Sequence, residues 1–157
     1  MRIYNIVRKR GEKMKLLSEK GVLSPKQSKT NTAFEFSVPE NVKELHISYS
    51  YYPKTVEDKE RALRQLEECI DAYSLGNVNA EDFLPVNNLV TLSFDSPEGY
   101  IGACHRQKNE QEITIGEKST PGINGIKIKS GVWKVTLNAH YIGCNISYSL
   151  EVEEVEI

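Results

Sequence analysis

The sequence predicts a mainly β fold, an antiparallel β-sandwich of jelly-roll or immunoglobulin-like type, with one inserted α-helix. Three observations lead there. Segments in which apolar and polar residues alternate recur from Ala33 to Glu153, the period of strands with one face in a core and one in water. Clusters of Gly, Pro, Asn, Asp and Ser separate them and supply turn chemistry. Only between Thr55 and Gly76 does the apolar period lengthen to that of a helix. Many short strands with a single helix suit two packed sheets.

Taken in order, residues 1–31 form a basic arm, interrupted by Gly11, Gly21 and Pro25, in which Met14, Leu16 and Leu17 suit a short helix or an edge strand. A single domain then spans 32–157. Phe34, Phe36 and Val38 alternate with Glu35 and Ser37, and Pro39-Glu40-Asn41 turns the chain into a second strand whose Leu45, Ile47, Tyr49 and Tyr51 share one face. The helix occupies about 55–75. Leu63, Leu66, Ile70 and Tyr73 form its apolar stripe, Thr55 serves as N-cap and Gly76 suits the position after its end. Its charged face, from Lys59 to Asp71, reads as solvated surface with local ion pairs.

The stretch Asn88 to Arg106 organises the rest, because it reads as strand, tight turn, strand. Leu89, Val90, Leu92 and Phe94 make one arm, Asp95-Ser96-Pro97-Glu98-Gly99 the turn, and Tyr100 and Ile101 begin the return. Further strands follow at Glu112–Glu117, around Ile126 and Ile128, at Trp133–Leu137 and at Asn145–Glu153, which gives seven or eight in all.

Composition bounds function. The 157 residues are enough for one core without disulfides or a structural metal, and no apolar run approaches the roughly 20 residues of a membrane span. Cys69, Cys104 and Cys144 are an odd set without CxxC spacing, which points away from a disulfide framework and towards a reducing cytoplasm. The N-terminal apolar run is too short for an export signal. Charge is divided: residues 1–30 hold nine Lys/Arg against two Glu, and the remainder eleven against twenty. A basic arm can bind nucleic acid, but this one lacks aromatic interleaving, and docking on the acidic body or on another subunit is the better expectation.

Candidate chemistry is sparse. The three histidines, His46, His105 and His140, occur in no HxH or HExxH spacing. Convergence of His105, His140 and Asp95 would offer mixed nitrogen and oxygen ligands to zinc or iron; the competing expectation is that they serve turns and strand ends. Cys104 and His105 are adjacent on a strand and therefore point to opposite faces, so they do not form a nucleophile pair. No phosphate-binding glycine motif or nucleophile elbow occurs, and no cofactor is implied. Tyr49, Tyr51, Trp133 and Tyr148 fall on core parity. Tyr52 breaks it beside Pro53, and Tyr52, Tyr141 and Arg106 are the residues for ligand binding, carbohydrate first, at a sheet edge.

The residues Phe34-Glu35-Phe36-Ser37-Val38-Pro39-Glu40, Leu45-His46-Ile47-Ser48-Tyr49, Asn88-Leu89-Val90-Thr91-Leu92, Asp95-Ser96-Pro97-Glu98-Gly99-Tyr100, Gly102, His105-Arg106, Thr120-Pro121-Gly122, Gly131-Val132-Trp133 and His140 carry a resemblance. Across about 32–153 the chain resembles the β-sandwich domain that precedes the catalytic domain in bacterial PHP-type metallohydrolases of the CehA/McbA kind. In that family the metal ligands belong to the following domain, whereas this chain has no HxH motif and ends at Ile157, so catalytic activity is not carried over. The resemblance implies structural importance for Asp95, Gly99, Gly102, His105, Arg106, Gly122, Gly131, Trp133 and His140. It also implies a free-standing accessory module without catalytic activity, working through a protein partner or self-association, with a separately encoded PHP-type metallohydrolase as one partner. A carbohydrate-binding sandwich and a small metal-dependent hydrolase are the alternatives.

Overall fold

The computed structural model describes residues 13–156. Eight strands form two four-stranded antiparallel sheets. They are β1 (Met14–Leu23), β2 (Thr30–Val38), β3 (Val42–Tyr52), β4 (Leu89–Ser96), β5 (Gly99–Cys104), β6 (Glu110–Ile115), β7 (Gly131–Tyr141) and β8 (Ile146–Glu156). One sheet has the order β1-β8-β3-β6 and the other β2-β7-β4-β5. First strand pairs with last, second with seventh, third with sixth and fourth with fifth. That nested pairing is a jelly roll. It settles the two sandwich alternatives, and among the described residues β4–β5 is the only consecutive pair of strands that shares a sheet.

The alternation read from the sequence gives the inner faces. Leu45, Ile47, Tyr49 and Tyr51 of β3 meet Val90, Leu92 and Phe94 of β4 and Trp133, Val135 and Leu137 of β7 in one buried cluster. Burying each large apolar side chain contributes about 1.5–3 kcal/mol. Polar atoms that enter this core are paired: Tyr49 donates its hydroxyl to Val90 O at 2.9 Å, and Trp133 Nε1 donates to Lys129 O at 2.8 Å.

Several expectations meet a different outcome. Of the short helix or edge strand that Met14, Leu16 and Leu17 suit, the strand forms: residues 14–23 are β1, at a sheet edge and paired with β8 from Met14 against Glu154 to Leu23 against Ile146, so this part of the basic segment belongs to the sandwich. The basic charge that set them apart is carried by residues such as Lys15 and Lys20, while Leu23 is buried. Residues 1–12 lie outside the described residues. The stretch around Ile126 and Ile128 is not a strand, although both side chains pack on the core. It belongs to a strap from Gly116 to Ser130 that runs beside β5. There Gly102, at φ +141°, and Gly122, at φ +98°, let two backbones approach so closely that a Cβ on Gly102 would stand 2.2 Å from Gly122 O.

The helix, α1, is Lys59–Ala72, shorter than expected, and its N-cap is Asp58, whose carboxylate accepts from Arg61 N–H at 3.1 Å. Thr55 instead bridges to Asn87. Ala62 and Leu66, not the whole stripe to Tyr73, dock on a small second cluster with Val56, Val86, Leu84 and Cys144. Further along, Ile70 is half-buried, and Tyr73 at the end of the helix is exposed. Among the described residues no helix is long and apolar enough to cross a membrane.

Candidate recognition surface

The expected metal triad is not assembled. Asp95 lies opposite Lys134 and within 3.8 Å of its ammonium, whereas His140 stands six positions further along β7, about 20 Å away at strand rise. His140 Nε2 is 2.8 Å from Thr91 Oγ1. His105 is exposed just beyond the end of β5. His46 lies on the other sheet, between Lys13 Nζ at 3.0 Å and Glu44 Oε1 at 3.3 Å. Among the described residues, no three His, Cys, Asp or Glu side chains are grouped to hold a metal ion.

Cys104 points into the core opposite Leu92, and burial pushes its thiol up despite the opposing charge of Arg106. A protonated, enclosed thiol is a poor nucleophile. The ligand-binding residues are also dispersed. Tyr52 is exposed on β3 in one sheet, and Tyr141 ends β7 in the other, near Arg61, Glu68 and Cys69 of α1. Arg106 is exposed in the loop between β5 and β6.

What the structure assembles is a surface that the periodicity missed. Where α1 ends, the chain turns through Ser74, with φ +51°, and Gly76, with φ +77°, and enters the 3-10 turn Ala80–Phe83. Asn79 caps that turn by accepting from Glu81 N–H at 3.1 Å. Between helix and turn lies an open groove of about 530 Å³, lined on one side by Leu63, Glu67, Ile70 and Asp71 and on the other by Gly76 to Glu81. Tyr73, Leu75, Val78 and Phe83, along the same stretch, are 68%, 50%, 41% and 48% exposed. Single exposed apolar side chains are ordinary on a protein surface, whereas four close together in sequence beside a groove mark an interaction site. The acids Glu67, Asp71 and Glu81 give the groove negative charge.

The signal was present in the sequence, since Leu75, Val78 and Phe83 interrupt an otherwise polar loop. It was hidden because Tyr73 completed a regular apolar stripe. Docking of the helix through Ala62 and Leu66 leaves Tyr73, at its end, exposed.

Smaller hollows lie elsewhere on the described surface, two of them on the sandwich. One, of about 430 Å³, lies at the β4–β5 turn between Tyr100, Lys127 and the Lys129–Glu98 ion pair. The other, of about 450 Å³, lies on the outer face of β3 and β6, where Ser48 donates to Glu112 at 2.9 Å. No family model and no curated protein sequence matches the chain.

Proposed function

We propose that this protein is an accessory recognition module, without catalytic activity of its own, that binds another protein through the helical insertion. The observation that carries this reading is the exposed apolar set Tyr73, Leu75, Val78 and Phe83, of which Val78 lines an acidic groove. The insertion contributes only a satellite cluster to packing. The chemistry of the groove favours a partner segment that combines apolar side chains with Lys or Arg. The resemblance to domains that accompany metallohydrolases makes a separately encoded enzyme of that class the first partner to examine. Three free cysteines, one of them exposed, support a reducing, cytoplasmic setting.

The alternatives draw less support. A carbohydrate platform would need Tyr52 and Tyr141 to share a face, and they stand on different sheets; a hydrolase would need Asp95 and His140 far closer than they are.

The test is a crosslinked pull-down from the source lysate, comparing the native chain with Val78→Glu and Phe83→Glu. Both side chains are exposed, so the fold should survive, which a thermal melt checks. A stoichiometric partner lost with both variants supports the reading. Identical recovery with all three proteins overturns it.

A further inference from the structure

The sandwich has four edge strands, β1 and β6 in one sheet and β2 and β5 in the other. An edge presents unpaired N–H and C=O groups to any passing strand, so proteins guard their edges. The strap after β6 guards two of these. Along β5, Ala103 N–H donates to Gly122 O at 3.1 Å and Asn124 N–H to Ile101 O at 2.9 Å. Along β6, Thr114 N–H donates to Thr120 Oγ1 at 2.9 Å, Gly116 N–H to Ser119 Oγ at 3.1 Å and Ile126 N–H to Gly116 O at 2.7 Å. The β1 edge is guarded differently, by Lys15, Glu19, Lys20 and a register break between Lys15 and Leu17.

Strand β2 has none of these devices. Its residues, Thr30–Val38, pair with β7 in unbroken register, include no Pro, Gly or Lys, and carry Glu35 as their only charge. On the other side no strand among the described residues pairs with it. Phe34, in the middle, packs on the core but remains half-buried.

The geometry points to β2 as a homotypic interface: two copies of the chain join β2 to β2, antiparallel about a two-fold axis at Phe34, into one continuous sheet. The strand is complementary to itself in that register. Phe36 faces Thr32, Asn31 faces Ser37 and Glu35 faces Ala33 of the second copy, so the only charge meets a methyl group and never its own counterpart. Each Phe34 gains cover from the other. A two-fold pairing consumes both edges and closes at the dimer, which leaves no template for a fibre. This surface is distinct from the helical insertion and rests on a separate observation.

Sedimentation equilibrium of the full-length chain, beside Ala33→Glu, Ala33→Lys and Val78→Glu, tests it. Ala33 is exposed on the outer face, so both substitutions at that position should fold, with melting midpoints as the check. The native chain should dimerise. Ala33→Glu sets two like-charge pairs across the axis and should raise the dimer Kd roughly tenfold, while Ala33→Lys sets two opposite-charge pairs and should lower it by a similar factor. Val78→Glu should leave the dimer unchanged whatever it does to partner capture. A native chain that stays monomeric at high micromolar concentration overturns the proposal, because the edge then belongs to another segment of this chain or to a different protein. A dimer that responds in the same direction to both charges at position 33, or that Val78→Glu dissolves, uses another surface and overturns it equally.

Discussion

Asn88 is fully buried and joins several segments through both its side chain and its backbone. Its side chain donates to Pro53 O at 3.0 Å and accepts from Gly143 N–H at 2.8 Å. Its carbonyl receives the Tyr51 hydroxyl at 3.1 Å and the Lys54 ammonium at 2.9 Å. It thus ties the end of β3, the start of β4 and the β7–β8 turn together. Asn88→Leu leaves Pro53 O and Gly143 N–H buried without partners, and should cost roughly 2–4 kcal/mol, read as a lower urea midpoint at unchanged slope. Tyr49 supplies a pH signature. Burial first, and the neighbouring Tyr51 second, push its phenol far above the usual range. The folded state therefore holds that proton more tightly than the unfolded chain does. The associated stability is complete below the unfolded value near pH 10 and is lost as pH rises beyond it. Urea unfolding at pH 9 and pH 11 should show a fall in stability that Tyr49→Phe reduces.

At the scale of elements, the helix is capped and packed through its first turns and ends at an exposed Tyr73. The Asp58 cap and the Ala62–Leu66 contact fix the first turns, and Gln65 Nε2 donates to Gly143 O at 2.7 Å. Asp58→Ala should cost about 1 kcal/mol of global stability, measured by urea unfolding. Thiol chemistry reads the same asymmetry. Cys69 is exposed on α1 and Cys104 is buried in β5, so a disulfide reagent should label Cys69 rapidly and Cys104 only on unfolding, as peptide mapping will show. The strap beside β5 depends on two glycines, and Gly102→Ala drives a methyl group against Gly122 O. That change should lower stability by roughly 2 kcal/mol or more, since both backbone position and φ are fixed.

For the whole molecule, nested pairing joins residues that are distant in sequence. The outermost pair, β1 with β8, ties the beginning of the described chain to its end. A chain cut at residue 32, the boundary that charge composition suggests, lacks β1 and exposes the long edge of β8. Such a truncation should aggregate or melt well below the full chain, as light scattering during a thermal ramp will show. Folding should also be slow for the size, in the range of milliseconds to seconds, because loop closure precedes most of the strand pairing.

The sequence by itself determined the class of fold, the β4–β5 hairpin, the helix and the inner faces of β3, β4, β7 and β8. Each is written in local periodicity or turn chemistry, which short windows of sequence carry. It left β1 open between a short helix and an edge strand within a basic arm, because lysines on an edge strand look like a basic tail, and it read a strand at Ile126 and Ile128 because apolar anchors in a strap alternate as strand residues do. The choice of a jelly roll over an immunoglobulin-like order belonged to tertiary structure, since both satisfy the same alternation and differ only in which distant strands pair. The same holds for the candidate surfaces. Separation of Asp95 from His140, the exposure of the residues after α1 and an edge of β2 that no described strand covers are consequences of how the sheets close, and no window of sequence contains them.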